Sequence, residues 1–286
     1  MKIHIIDGYS MAFRAFYSFP SIINKHAFEI GGLIGFISMI SNFIKKIQPT
    51  HMLIVFDKGK SFRSEIYKDY KSTRKTAPTS VYAQLPFLRK ICIDTNIPFD
   101  EVPGFEADDV IASYCKRFNE NGYQVCIVSP DKDLMQLVNA TTFILNPTKW
   151  EEFNEKDVFK KFGVTPNQIV DMQALTGDVS DNIPGAKGIG PKIAVKLIEE
   201  FGSLENILNS IYLIKNDRIR QIISNDQENI LLSRKLAQLI TDVEVKLSPK
   251  DIEIPYIDAI SMNTCGIMLH DIKCDDKLQD HKSHNV

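Results

Sequence analysis

Short apolar runs rich in Ile and Val recur through the first half of the chain, at residues 2–6, 52–56, 124–128 and 142–145. Between them, residues 30–46, 81–96 and 106–119 carry apolar side chains at helical spacing. This alternation predicts an α/β fold with a mainly parallel central sheet flanked by helices. From about residue 165 the strand-like runs cease. Helical stretches at 182–220 and 227–240, punctuated by Gly, Pro, Asn and Ser, predict a compact helical module. The expected units are therefore an α/β core at 1–164, the module at 165–246 and an extension of open role at 247–286. The last residues, 274–286, are polar enough to fray.

Composition narrows the class. With 44% hydrophobic and 24% charged residues, the chain is neither a disordered tail, a collagen-like fibre nor a disulfide scaffold. No apolar run reaches the roughly 18 residues of a membrane span. The opening run meets Asp7 too soon for a signal peptide and reads as a strand, so no membrane association and a cytoplasmic location are expected. Cys92, Cys115, Cys126, Cys265 and Cys274 are scattered without a CxxC pair, which suits reduced thiols and no zinc knuckle. Because the net charge is only -2, any attraction to nucleic acid must come from a local patch.

Acidic residues recur where apolar segments end. Asp7 follows the first run, Asp57 the second, and Asp131 and Asp133 the third, while Glu106, Asp108 and Asp109 open a helical stretch. Singly, each has an ordinary reading: a turn-forming Asp, or an acid favoured by the helix dipole. Jointly they lie where an open α/β sheet lines its crevice. Seven carboxylates gathered there would raise one another's pKa unless cations were bound. An all-oxygen set points to a hard ion, Mg²⁺ or Mn²⁺. A second pair, Asp178 and Asp181, shares a turn at i, i+3 spacing, which equally suits a capped turn.

Two segments suggest a phosphate backbone as partner. In Lys187-Gly188-Ile189-Gly190-Pro191-Lys192, the glycines would allow positive φ and close approach, and Pro191 suits the first position of a helix. The free amides of that helix start, flanked by Lys187 and Lys192, would grip phosphate without reading sequence; an ordinary helix-helix turn is the alternative. Residues 58–75 hold seven cations, among them Arg63, Lys68, Lys71, Arg74 and Lys75, for a local charge of +5. If helical, this segment would align Lys68, Lys71 and Lys75 in a stripe, with Tyr67 and Tyr70 free to stack on bases.

The set Ile6-Asp7-Gly8, Val55-Phe56-Asp57, Phe62-Arg63, Tyr70-Lys71, 104–109, Asp131-Lys132-Asp133, 177–185 and Gly188-Ile189-Gly190 resembles the 5′-nuclease domain of bacterial DNA polymerase I, in the wider flap endonuclease group. The resemblance covers about residues 1–245. It implies a PIN-like nuclease core, a basic arch at about 58–85 and a helix-hairpin-helix in the C-terminal module. It implies a first metal site from Asp7, Asp57, Glu106, Asp108 and Asp109. A second would use Asp131, Asp133, Asp178 and Asp181, with two or more Mg²⁺ or Mn²⁺ ions in all. It gives Lys71, Arg14 and Arg63 roles at the scissile phosphate. Lys68, Tyr70, Arg74, Lys187, Gly188, Gly190 and Lys192 would contact DNA. The implied activity is a monomeric, structure-specific 5′-3′ exonuclease and flap endonuclease acting on flaps, nicks and primer RNA, beside a separate DNA polymerase. It carries no polymerase activity over to these residues. A non-catalytic DNA-binding module, a metal-dependent phosphatase and a ribonuclease sharing the core are the alternatives.

Overall fold

The computed structural model describes residues 1–254, so most of the expected extension, the fraying expected at 274–286, and Cys265 and Cys274 lie outside the described residues. The N-terminal part runs β1 (Lys2–Asp7), α1 (Gly8–Ser18), α2 (Gly31–Ile47), β2 (Met52–Val55), the single turn α3 (Arg63–Ile66), α4 (Thr79–Asp94), β3 (Phe99–Asp100) and α5 (Ala107–Glu120). It continues with β4 (Gln124–Val128), β5 (Thr142–Asn146), β6 (Glu151–Phe153) and α6 (Glu155–Phe162). The helical part holds α7 (Ile169–Thr176), α8 (Pro191–Phe201), α9 (Leu204–Asn209), α10 (Asp217–Asn225) and α11 (Gln227–Ala237). Among the described residues no helix is long and apolar enough to cross a membrane.

The six strands lie in the order β3-β2-β1-β4-β5-β6, parallel except for β6, which runs against β5. From β1 the chain builds outward through β2 and β3, then returns to the other side of β1 to lay down β4 and β5. The β1–β4 boundary is therefore the topological switch point, where a crevice opens beyond the carboxyl ends of the strands. Asp7 ends β1, Asp57 follows β2 and Asp131 follows β4, so parallel register alone carries three carboxylates to one rim.

Strand alternation sorts the side chains into two cores. Ile3, Ile5, Leu53, Val55, Val125 and Ile127 face α5, and this core continues without a break into Ile169, Leu175, Ala194, Leu197 and Ile230 of the helical part. Ile6, Ile54, Phe56 and Val128 face the other side, against Phe36, Ile40 and Leu88 from α2 and α4. The helical part is thus seated on the sheet by shared apolar burial, which fixes how its acidic turn meets the rim.

Candidate active site

Each rim carboxylate is oriented by a local device. Asp7 caps α1, accepting from the Ser10 amide at 3.0 Å, while its other oxygen accepts from the fully buried Ser129 hydroxyl at 3.0 Å. The same Ser129 oxygen accepts from the Asp131 amide at 3.1 Å, so one hydroxyl ties β1 to the turn after β4. Asp57 accepts from the Ala107 amide at 2.9 Å, joining the end of β2 to the start of α5. Asp131 in turn accepts from the Asp133 amide at 2.9 Å.

The electrostatics follow from this crowding. Burial pushes the Asp7 carboxyl up to about 6, with the charges of Asp57 and Asp131 adding to the rise. Burial likewise holds Asp108 well above the carboxylate range, reinforced by Asp131 and Asp7. Burial raises Asp57 too, against the pull of Lys71 and Arg74. Asp133 is pushed up to about 7 by burial and then by Asp131 and Asp181. Such a group costs free energy when ionised and favours a cation that would relieve it.

On the far wall the acids are already matched by cations. The base of the basic segment folds onto the 178–182 turn: the Lys71 amide donates to the Asp181 carbonyl at 2.9 Å, and the Asn182 side chain donates to the Asp69 carbonyl at 2.7 Å. Lys71 Nζ meets Glu106 at 2.6 Å, Arg74 meets Asp181 at 2.5 Å, and Lys132 pairs with Asp178. Against the upward push of burial, Lys132 and Ser180 hold the Asp178 carboxyl below its ordinary range. As the side chains stand, no three His, Cys, Asp or Glu among the described residues are arranged to hold a metal ion. The donor chemistry nevertheless fits a hard divalent ion: carboxylate oxygens, buried and mutually repelling, with lysine and arginine the groups a bound cation would replace.

Several sequence expectations are corrected. Asp109 does not face the crevice. It is fully buried and gripped by Arg63 at 2.6 and 2.8 Å, and it accepts the Ile240 amide at 2.9 Å. Arg63, 1% exposed, also donates to the Leu236 and Gln238 carbonyls, so both residues lock α5 to the helical part and Arg63 spends its donors inside the protein. The stripe of Lys68, Lys71 and Lys75 does not form, because residues 68–73 are turns and Lys71 itself is left-handed at φ 58. Tyr70 is buried and donates to Glu106 at 3.1 Å, which removes it as a stacking platform. Gly190 is extended at φ -94, leaving Gly188 as the positive-φ glycine of the hairpin. Close backbone approach belongs instead to Gly177 and Gly185: a Cβ on Gly185 would lie 2.2 Å from the Gly177 nitrogen.

Other expected residues keep accessible positions. Lys68, Lys187 and Lys192 are exposed, Arg14 is half-buried on α1, and Pro191 opens α8 as the residue pattern suggests. The Lys187 amide is taken by Asp226 at 2.9 Å, so phosphate contacts at the hairpin would fall to the lysine side chains and the α8 amides. The reading from sequence passed over Ser129 and Gln173. Gln173, a buried polar side chain between Met172 and Ala174 of α7, donates to Asp133. That polar interruption was the available signal.

An acidic rim at the switch point of a parallel sheet, with a basic segment folded against it and a glycine hairpin in the helical part, is the arrangement of a nuclease built on an α/β core with a helical module. The chain belongs to the 5′-3′ exonuclease family, matching the model of its N-terminal resolvase-like domain over residues 2–163 and that of its C-terminal SAM fold over residues 164–259. It is 40% identical over 257 residues to a 5′-3′ exonuclease of Aquifex aeolicus, covering 90% of this chain and 88% of that protein. It is also 40% identical over 256 residues to DNA polymerase I of Bacillus caldotenax, covering 88% of this chain but only 29% of the polymerase. In fold it is similar to the bacteriophage T5 flap endonuclease in a pseudo-enzyme-product complex with DNA and metal ions, with TM-score 0.71, 22% identity, and coverage of 95% of this chain and 100% of that one.

Proposed function

We propose that the chain is a divalent-metal-dependent 5′ nuclease that hydrolyses phosphodiester bonds in DNA carrying 5′ flaps, nicks or primer RNA. The observation that carries this reading is the convergence of Asp7, Asp57 and Asp131 beyond the carboxyl ends of adjacent parallel strands, with Asp108 at the start of α5 half-buried beside them. Asp7, Asp57, Glu106 and Asp108 would hold one ion, and Asp131, Asp133, Asp178 and Asp181 another. Mg²⁺ or Mn²⁺ suits this all-oxygen set. Bound there, such ions lower the pKa of water and stabilise charge on attacking and leaving oxygens.

The protein's own part is to bind and orient. Lys71 and Arg74, paired with Glu106 and Asp181, are placed to exchange those carboxylates for a phosphate as DNA enters. Arg14 on α1 and Lys68 on the basic segment would guide the 5′ strand. The α8 amides, with Lys187 and Lys192, would hold the duplex without reading its sequence. A monomer acting in the cytoplasm beside a separate DNA polymerase is the setting this substrate suggests. Cleavage of end-labelled 5′-flap, nicked and blunt duplexes with and without Mg²⁺ tests the reading. Metal-dependent release of products from the 5′ end of the flap is expected, and intact flap DNA at millimolar Mg²⁺ would overturn it.

A further inference from the structure

Two glutamines contact Asp133, Gln136 from the 3-10 turn that Asp133 itself opens and Gln173 from the helical part. Gln136 donates to the Asp133 carbonyl at 2.9 Å and to the Ala237 carbonyl at 3.2 Å, while its own oxygen accepts from the Leu239 amide at 3.1 Å. All its polar atoms are used, as expected of a structural side chain. Gln173 differs. It reaches from α7, is 5% exposed, and donates through Nε2 to Asp133 Oδ1 at 2.5 Å, yet its Oε1 is buried without any hydrogen-bond partner. Beside a bound cation Asp133 is ionised, and Nε2 is then the atom that faces it, because Oε1 there would set two acceptors together. A buried carbonyl without a donor costs about 1–3 kcal/mol, and the residues around it on α7, such as Met172, Ala174 and Leu175, show that apolar side chains fit this helix. A residue kept at that cost beside Asp133 points to a donor that arrives with a ligand.

We propose that Gln173 is a positioning residue for the second carboxylate group: Nε2 fixes the Asp133 rotamer, and Oε1 is the acceptor for a water held there with a divalent cation. The inference rests on the metal-dependent reading above and deepens it. It also gives α7 a direct hold on the site, so that the seating of the helical part on the sheet sets the geometry of Asp133.

The test is Mn²⁺ binding to the full chain, followed by calorimetry and by the electron paramagnetic resonance of free Mn²⁺. Two classes of site are expected in the parent. Gln173→Met, similar in size but lacking both polar atoms, should weaken one class by about tenfold or more and leave the other within twofold. In an Asp133→Asn background the same change should add less than twofold, because its route through Asp133 is already cut. The metal-free melting temperature should match or exceed that of the parent; if Gln173→Met melts lower, Gln173→Leu takes its place. Two unchanged Mn²⁺ classes in a folded variant would overturn this proposal alone. A parent that binds no Mn²⁺ would overturn it together with the proposed function.

Discussion

Asp7, Asp57 and Asp108 sit at the ends of regular elements, Asp7 and Asp57 oriented by neutral donors, whereas Asp178 and Asp181 sit in a turn and are matched by Lys132 and Arg74. The first group is held in place by the sheet whether or not a cation is present, and it carries the strain of like charges. The second depends on mobile cationic side chains for its neutrality. The contrast suggests a division of labour: a rigid group that demands metal, and an adjustable one that hands cations to the substrate when metal arrives.

The rigid group should give the largest response. Asp7→Asn keeps the α1 cap, since Asn serves at that position as well as Asp, but removes a charge and a candidate ligand. Cleavage of a 5′ flap should fall by at least about 100-fold, the upper end for loss of a group that merely supports a ligand. The metal-free protein should melt higher, because a desolvated charge is gone. Its pH dependence has a definite sign. The folded Asp7 carboxyl lies at about 6, above its unfolded value of 3.8, so it favours folding more as the pH falls from about 6 toward 3.8. That contribution should vanish in Asp7→Asn. Asp178 behaves oppositely: its lowered carboxyl stabilises the fold above the ordinary range and loses this as the pH falls through its folded value. Thermal melts of parent and variants without metal would check both signs, the Asp7 one across pH 4–7 and the Asp178 one below pH 4.

The adjustable group should respond less. Replacing Asp178 and Asp181 by Asn should lower cleavage about 10–100-fold at limiting Mg²⁺, with recovery as Mg²⁺ is raised. Flap binding should hold or tighten, because Arg74 and Lys132 are released toward phosphate. Equal losses at limiting and saturating Mg²⁺ would erase the distinction between the two groups.

What the sequence made legible follows the same line. The Asp residues at strand ends could be placed because parallel strands in any order carry their carboxyl ends to one rim; the information is local, in the alternation and the position of each acid. Asp108 and Asp109 could not be told apart that way. They are neighbours in the first turn of α5, and what separates them is Arg63, 46 residues earlier, and the chain at 236–240, which claim Asp109 from beneath. The Lys68, Lys71 and Lys75 stripe and the exposed position expected of Tyr70 fail for a related reason. A run of cations reads as a free helix face, but the Asp181 carbonyl and Asn182 pin this run as turns, a contact set only when the helical part docks. The change of pattern near residue 165 is visible in the sequence, while the core shared across it is not, since apolar residues carry no address.

Lys71 offers the finest test of the comparison, because it touches both groups. Its Nζ lies 2.6 Å from Glu106 and 3.9 Å from Asp181. Burial works against its charge, but Glu106 and Asp181 outweigh that and keep it above the ordinary lysine range, so it is a cation at any working pH. Lys71→Ala removes the ammonium while leaving the backbone bond to the Asp181 carbonyl and the left-handed φ as they are. The metal-free fold should therefore change little. If the ammonium moves from Glu106 to the phosphate, its loss should slow single-turnover cleavage at saturating Mg²⁺ by about tenfold, or 1.4 kcal/mol of barrier. Glu106, freed of its partner, should bind Mn²⁺ more tightly in the same variant. Slower cleavage with tighter metal is a combination that general destabilisation does not produce. A rate within twofold of the parent, with unchanged Mn²⁺ affinity, would leave Lys71 a surface cation and the two groups without a shared switch.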